Sequence, residues 1–227
     1  MSTLFVTATG TEIGKTLVTA ALCHELCAAG RRVRALKPVL SGYDPAGLAE
    51  SDPGVLLASL SEPVTEEAVA DITPWRFAAP LSPDMAAARE GRRLDLADIV
   101  GFCRTQDGDP LLIEGIGGAM VPLDERHTVL DWIAALGAPA LVVAGSYLGT
   151  ISHTLTTLAV IRARGIAVAG LVISESPESP VPLAETAEAI NRHAGPLPTV
   201  LVPRLPAGPA PWRKVPPLAR PLGMLEG

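Results

Sequence analysis

A run of glycine, lysine and hydroxyl residues near the amino end has the spacing of a phosphate-binding loop. Residues 7–16 read TATGTEIGKT, between an apolar stretch and a helical pattern. In such loops the backbone N–H groups at the helix start attract phosphate, the Lys15 ammonium reaches the β- and γ-phosphates, and the Thr16 hydroxyl ligates Mg²⁺. The run therefore predicts a site for Mg²⁺ and a nucleoside triphosphate, contacted by Glu12, Ile13, Gly14, Lys15, Thr16 and Leu17.

The first half of this loop departs from the usual pattern. The usual first glycine is absent, because Thr9 stands at the common spacing and Ala8 one residue earlier, while a glycine appears at position 10. Glu12 is an unusual acid to find beside phosphates. We therefore expect a variant loop path, in which Glu12 orients Lys15 or meets a hydroxyl of a ligand.

Three charged residues farther along the chain are candidates for the same site. Lys37 ends one short apolar run, Glu114 ends another, and Asp52 precedes a proline. Ligands of parallel sheets lie at the carboxyl ends of the strands, so Lys37 is expected beside Lys15, where a second ammonium suits a migrating phosphoryl group. Glu114 is the predicted acid for Mg²⁺. Asp52 is either a further carboxylate for Mg²⁺ or the start of a turn or helix.

The elements that must position these residues alternate along the chain. Strands are predicted at Leu4–Thr7, Val33–Lys37, Leu111–Glu114, Ala140–Val143, Ala169–Ile173 and Thr199–Val202. Helices are predicted at Lys15–Ala29, Val55–Leu60, Leu94–Thr105, Val129–Ala135, Ser152–Arg164 and Pro182–His193. Nearly continuous apolar strands separated by helices indicate a mostly parallel sheet with helices on both faces. The prediction is an α/β fold of the P-loop NTPase kind, as a single domain over residues 1–227.

Two proline-rich segments interrupt this alternation. Residues 61–91 form a long connection, of a kind that is usually functional, and within it Ser82 and Pro83 are typical of the N-cap and first residue of a helix over Asp84–Glu90. From about residue 195, nine of the 22 prolines exclude a long terminal helix. We expect this tail to be a loop folded against the active site or to be partly disordered.

The composition argues against several classes of protein. A net charge of −6 opposes general binding to nucleic acid or to anionic membranes, and no apolar run approaches the roughly 20 residues that span a bilayer. Met1 is followed almost at once by a strand, which leaves no room for a signal peptide. Three cysteines are too few for a disulfide framework. We therefore expect a cytoplasmic protein without zinc, in which Cys23 and Cys27 serve core packing.

The motifs taken together resemble those of the dethiobiotin synthetase family. The combination of the phosphate loop with a Lys-Pro-Val-x-Ser-Gly motif is much more specific than a phosphate loop alone. The matching segments, in the order and spacing of that family, are Thr11–Thr16, Lys37–Gly42, Ser51–Asp52, Phe77–Pro83, Glu114–Gly118 and Leu148–Thr154.

The resemblance implies a reaction and a set of site residues. Diaminopelargonic acid and CO2 give a carbamate, ATP phosphorylates it to a mixed anhydride, and the second amine closes the ureido ring of dethiobiotin. By position, the catalytic residues would be Lys15, Lys37 and Thr11, and the Mg²⁺ ligands would be Thr16, Asp52 and Glu114. Thr11, Glu12 and Ser41 would contact the diamine or its carbamate. The nucleotide would also contact Asp52, Glu114, Gly115, Ile116, Gly117, Ser174 and Pro203.

The resemblance also implies a homodimer. Family members hold each substrate carboxylate at a helix start of the partner subunit, and Gly149, Thr150, Ile151 and Ser152 match that segment. A helix start is a physically sound carboxylate site. Ser174 stands where the family has an asparagine that reads adenine, so the residues do not fix the base preference.

Two alternatives remain open at this point. One is another P-loop ligase, such as the synthetase part of a cobyrinate amidase, but such chains carry a further glutaminase domain. The other is a switch ATPase of the partitioning or MinD kind, but such proteins have an extra lysine early in the loop, where this chain has Ala, Thr, Gly and Thr. The synthetase is the favoured function.

Overall fold

The computed structural model describes residues 3–225, and a six-stranded parallel sheet forms its centre. The strands are β1 Thr3–Ala8, β2 Arg34–Leu36, β3 Val39–Ser41, β4 Trp75–Phe77, β5 Leu111–Glu114, β6 Ala140–Ala144, β7 Val168–Ser174 and β8 Thr199–Val202. The helices are α1 Lys15–Ala28, α2 Asp52–Ser59, α3 Glu66–Ile72, α4 Pro83–Arg89, α5 Leu96–Arg104, α6 Val129–Leu136, α7 Thr150–Ala163 and α8 Leu183–Ala194.

The order of the strands places the carboxyl end of β1 at the middle of the sheet. The order is β2-β5-β1-β6-β7-β8, and every pair of neighbours is parallel. Crossovers between parallel strands are right-handed. The chain moves one way across the sheet from β1 through α1 to β2, and the other way from β5 to β8 through α6, α7 and α8. Helix α1 therefore lies on one face of the sheet, and α6, α7 and α8 lie on the other. This confirms the predicted α/β fold and puts the phosphate loop at the point where the strand order reverses.

The interior of the sheet is apolar, as strands covered on both faces require. Every residue of β5 and β6 is buried, and the rings of Phe5 and Trp132 meet edge to face at 4.8 Å. Cys23 is buried in this core and Cys27 is half-buried, which confirms the predicted packing role of Cys23. Within residues 3–225, no helix is both long enough and apolar enough to cross a bilayer.

Residues 61–91 are more regular than the sequence predicts. They contain α3, whose N-cap Thr65 accepts a hydrogen bond from the Ala68 N–H, and β4, which pairs with β3 in a separate two-stranded parallel sheet. Elements this short carry too little periodicity to predict. Helix α2 also begins three residues before its predicted start, because Ser51 caps it by accepting from the Gly54 N–H.

The last part of the proline-rich tail, residues 211–225, lies along α1. The Glu25 carboxylate accepts the backbone N–H groups of Leu218 and Ala219 at 2.8 and 2.9 Å, and Leu218, Ala219 and Leu222 are buried. A short 3₁₀ helix over Pro211–Lys214 also contacts α1. The expectation that the tail folds against the active site therefore does not hold for residues 211–225, whose apolar side chains cover α1 instead.

Candidate functional site

The phosphate loop connects β1 to α1 and leaves the start of α1 without a side-chain cap. The N-cap is Gly14, with φ +97°, a conformation that favours glycine. Glu12 also has a positive φ, +58°, which is the variant path expected of this loop. Lys15 donates to the Gly10 carbonyl at 3.3 Å. The uncapped helix start and the lysine together form an anion site.

A second backbone segment, residues 115–118, packs directly on this loop. A Cβ atom at Gly115 would lie 2.8 Å from the Phe5 ring, and one at Gly118 would lie 3.3 Å from the backbone of Ala8 and Gly10. Only glycine lets the two segments approach this closely. The close approach fixes the strand-end residue Glu114 beside the phosphate loop.

Lys37 lies at the centre of a buried charge network. Its ammonium donates to Glu114 Oε1 at 2.7 Å, to the Gly115 carbonyl at 2.9 Å, and contacts Asp52 Oδ2 at 2.9 Å. The Thr16 hydroxyl lies 2.7 Å from Asp52 Oδ1 and 2.9 Å from Glu114 Oε1. Lys37 is 2% exposed and Glu114 is fully buried, so the two charges compensate each other away from water.

The surroundings shift the pKa values of three of these groups. Burial alone would lower the pKa of Lys37, but the charges of Glu114 and Asp52 outweigh it and raise that pKa above its usual value. Burial alone would raise the pKa of Asp52, but the Lys37 charge and the hydrogen bonds from Lys37 and Thr16 hold it below its usual value. Burial, and then the charge of Lys37, lower the pKa of Lys15 to about 8. Lys37 is therefore a fixed charge, whereas Lys15, with a pKa of about 8, is mostly charged at pH 7 and loses its proton as the pH rises through 8.

The donor set around Thr16 suits a small, hard divalent cation. It consists of one hydroxyl and the carboxylates of Asp52 and Glu114, and oxygen donors of this type are those that Mg²⁺ takes. Glu114 Oε2 is buried without a hydrogen-bond partner among the described residues. A bound cation would satisfy this oxygen, so the residues present fit the ion.

Lys15, Thr16, Lys37 and Asp52 face one cleft of about 750 Å³. Glu114 does not line this cleft itself but contacts Thr16 and Lys37, which do. The cleft brings together ten of the predicted site residues, which are Thr11, Glu12, Gly14, Lys15, Thr16, Lys37, Ser41, Asp52, Ile116 and Gly117. The cleft is also lined by residues to which the sequence assigned no role in the site: Leu40, Gly42, Pro80, Leu81, Ser82, Pro83 and Val121. For Pro80–Pro83 the signal in the sequence was the proline-rich motif before α4, which indicated a functional loop but not which of its side chains face the site. Leu40 and Gly42 lie in the Lys-Pro-Val-x-Ser-Gly motif, and Val121 had no signal.

The residues predicted for the nucleotide base lie at the same edge of the sheet, beside the cleft. A Cβ atom at Gly14 would lie 3.0 Å from Ser174 Oγ, and Ser174 pairs with Val202 in the sheet, so Pro203 follows directly. Ile13 and Leu17 are half-buried next to the loop, and Gly115 is buried. Ser174 and Pro203 thus lie close together, at the carboxyl ends of the neighbouring strands β7 and β8.

The segment predicted to hold a carboxylate forms the start of α7 and does not line the cleft. The N-cap Gly149 is left-handed and provides no side-chain cap. Thr150 is already occupied, because its N–H donates to the Tyr147 carbonyl and its hydroxyl donates to the Gly145 carbonyl. The N–H groups of Ile151 and Ser152 have no backbone acceptor within residues 3–225. These two groups are the ones free to bind an anion.

The loops that follow β6 and β7 are joined by a feature that the sequence gave no reason to expect. The Ser146 N–H donates to Ser176 Oγ at 3.0 Å, and the Ser176 N–H donates to Ser146 Oγ at 2.9 Å. Nearby, the Tyr147 hydroxyl lies 2.9 Å from His153 Nδ1. The reciprocal pair fixes the approach to α7 relative to the loop after Ser174.

Comparison with known proteins places this site in a family. A family model described as an AAA domain matches residues 2–210. A protein of Acidiphilium cryptum (strain JF-5) is 55% identical over 202 residues, 87% of this chain and 91% of that protein. A protein of Methylobacterium nodulans is 54% identical over 204 residues, 86% and 90% of the two chains. Both are named ATP-dependent dethiobiotin synthetase. This chain belongs to the dethiobiotin synthetase family. The resemblance of its motifs is thereby confirmed.

Solved structures share the fold of this synthetase family member. The septum site-determining protein MinD of Pyrococcus horikoshii OT3, complexed with Mg-ADP, superposes with a TM-score of 0.52 at 18% identity, over 89% of this chain and 81% of that one. The Pyrococcus furiosus cell division ATPase MinD gives a TM-score of 0.51 at 20% identity, over 89% and 84%. These low identities show a common P-loop fold alone. The relatives named dethiobiotin synthetase, and not these shared folds, bear on the function, and they do not favour the switch ATPase or the other ligase.

Proposed function

We propose that this chain converts diaminopelargonic acid, CO2 and ATP to dethiobiotin, ADP and phosphate, as a single domain in the cytoplasm. The observation that carries the proposal is the buried Lys37 between Asp52 and Glu114, facing the same cleft as the phosphate-loop Lys15. A carbamate and a migrating phosphoryl group are both anions, and this cleft holds two ammonium groups at the point where both must bind. The relatives named ATP-dependent dethiobiotin synthetase support the same reaction.

The first step is the binding of the diamine as its carbamate. Thr11 and Ser41 line the same cleft as the two lysines, and their hydroxyls can donate to the carbamate oxygens. Lys37 keeps its proton, because its pKa is raised, so it stabilises the carbamate as a fixed charge. Glu12, which lines the same cleft, can accept from an amine N–H.

The second step is phosphoryl transfer from ATP to a carbamate oxygen. The N–H groups at the start of α1 and the Lys15 ammonium hold the β- and γ-phosphates. Thr16, Asp52 and Glu114 would hold Mg²⁺, which neutralises charge on the phosphate oxygens when it is bound. Gly115, Ile116 and Gly117 approach the phosphates from the opposite side, and Ser174 and Pro203 flank the base.

The third step is ring closure. The second amine attacks the carbonyl carbon of the mixed anhydride and forms the C–N bond of the ureido ring. The bond from that carbon to the phosphate oxygen breaks, inorganic phosphate leaves, and the amine nitrogen gives up one proton. Two lysines beside the leaving phosphate stabilise the charge that it carries away. The apolar side chains of Leu40, Pro80 and Leu81 on the cleft wall keep water from that side of the anhydride and so limit its hydrolysis.

A homodimer completes the proposal. The N–H groups of Ile151 and Ser152 at the start of α7 have no backbone acceptor among the described residues, and Leu148 beside them is 87% exposed. In a twofold dimer this helix start would reach the cleft of the partner subunit and hold the substrate carboxylate. Light scattering tests the dimer directly.

The reaction is tested by mass spectrometry of the products. The protein is mixed with diaminopelargonic acid, bicarbonate, Mg²⁺ and ATP, and the expected result is the mass of dethiobiotin together with phosphate release that depends on the diamine. Omitting Mg²⁺ should abolish both. Absence of product with ATP, and again with CTP and GTP, would contradict the proposal.

A further inference from the structure

Ser82 occupies a helix N-cap position but does not use its hydroxyl as a cap. The sequence predicts that Ser82 caps the helix beginning at Pro83, and α4 does begin there. However, the Ser82 side chain makes no capping hydrogen bond. Its Oγ atom is buried and has no partner within residues 3–225. Helix capping therefore does not explain why a serine stands at this position.

A second unpartnered hydroxyl lines the same cleft. Ser41 Oγ is also buried without a partner among the described residues, and both Ser41 and Ser82 line the cleft of the two lysines. Buried hydroxyls are normally paired, because an unpaired one loses its hydrogen bonds to water without replacement. Two such groups in one cleft point to a ligand that supplies their partners.

The fold holds the two segments that carry these hydroxyls together. Ser41 ends β3, which pairs with β4, and the following Gly42 N–H donates to the Ala79 carbonyl at 3.1 Å. A Cβ atom at Gly42 would lie 3.2 Å from the Cβ of Pro80, so the segments are in contact. The short sheet therefore fixes the positions of the two serines relative to each other before any ligand binds.

We propose that Ser82 is a substrate-binding residue that acts with Ser41 on the nitrogen-bearing end of the diamine substrate. This inference rests on the proposed function. A hydroxyl both donates and accepts, which matches a ligand end that carries amine donors and, after carboxylation, carbamate acceptors. The neighbouring Leu81 and Pro83 have no side-chain donor to offer, so Ser82 supplies the polar contact on that wall.

The test compares Ser82→Ala with the wild type in steady-state kinetics and in thermal unfolding. Loss of one buried hydrogen bond to substrate raises the KM for the diamine about tenfold, while the KM for ATP stays within about twofold. Tm stays the same or rises, because the substitution removes an unpaired buried hydroxyl. A capping role predicts the opposite pattern, which is a lower Tm with an unchanged KM for the diamine.

Two control variants calibrate these readouts. Thr65→Ala removes a cap that is in use, at the start of α3, and lowers Tm by about 2–4 °C without changing either KM. Thr73→Val removes a buried hydroxyl that is unpartnered in the described chain but lies outside the cleft, and it leaves the KM for the diamine unchanged.

The outcomes separate the inference from the function on which it rests. If the wild type is active and Ser82→Ala leaves the KM for the diamine unchanged, with or without a loss of Tm like that of Thr65→Ala, the role of Ser82 alone is overturned. A wild type that makes no dethiobiotin overturns both.

Discussion

Replacing Lys37 with methionine will destabilise the fold, because it leaves the buried Glu114 carboxylate beside Asp52 without its paired ammonium. Methionine keeps the length and most of the volume of the lysine stem. The ammonium that it removes lies 2.7 Å from Glu114 and 2.9 Å from Asp52. The main effect is therefore electrostatic and falls on Glu114, which is fully buried, whereas the Asp52 side chain is 36% exposed.

The expected loss of unfolding free energy is about 3 kcal/mol, the lower end of the range for removing one partner of a buried ion pair. For a chain of this size the loss corresponds to a decrease in Tm of about 6–12 °C. The raised pKa of Lys37 means that its contribution is fully present below the unfolded pKa of about 10.5 and is lost only as the pH rises through the higher folded value. Measurement at pH 7 therefore captures the whole effect.

Urea unfolding followed by circular dichroism measures this loss. Lys214→Met is the matched control, because Lys214 is exposed and its replacement should change stability by less than about 0.5 kcal/mol. The double variant Lys37→Met with Glu114→Gln should recover part of the loss, since it removes the uncompensated charge. A Lys37→Met variant within about 1 kcal/mol of the wild type, or a double variant no more stable than the single one, would refute the assigned electrostatics.

Three further predictions concern the phosphate loop and the tail. Nucleotide binding should take up about half a proton at pH 8 and about a tenth at pH 7, because the negative triphosphate raises the Lys15 pKa of about 8 and so favours the protonated ammonium. Calorimetry in buffers of different ionisation enthalpy measures this uptake, and equal uptake at both pH values would contradict the prediction. Gly14→Ala should weaken ATP binding at least tenfold in a calorimetric titration, because the Gly14 φ is +97° and the new methyl group would lie 3.0 Å from Ser174 Oγ. The control is Gly91→Ala, which also has a positive φ but lies in open space, and which should leave ATP affinity unchanged. Glu25→Ala should lower the unfolding free energy by about 1–3 kcal/mol, because it leaves two backbone N–H groups of the tail without their acceptor; unchanged urea stability would show that the tail is held by its apolar contacts alone.

The parts of the site that the sequence predicts are those fixed by local pattern. Lys15 and Thr16 must lie at the start of a helix because a strand, a glycine-containing loop and a helical pattern follow one another without a break. Glu114 must lie at the edge of the sheet because it ends an apolar strand. For these residues, knowing the element is enough to know the position.

The parts that the sequence could not predict depend on contacts between distant segments. Asp52 begins α2, which is one of the two roles that the sequence left open, and its carboxylate also meets Lys37, a contact that the sequence did not predict. The pairing of β3 with β4 rests on two strands of three residues each, which have no periodicity to read. The unused hydroxyl of Ser82 depends on the orientation of one side chain, and a serine before a proline would predict a cap in any sequence.

The ion pair of Lys37 with Glu114 and Asp52 has a consequence for the order in which ligands arrive. The two carboxylates that would bind a metal already have an internal counterion, and together with Lys15 the four side chains sum to a formal charge of zero. A free divalent ion thus meets a neutral site and must compete with an ammonium for the same oxygens. The triphosphate carries the missing negative charge, so metal and nucleotide enter most favourably as one complex, and occupancy of the site follows the concentration of that complex instead of the free ion.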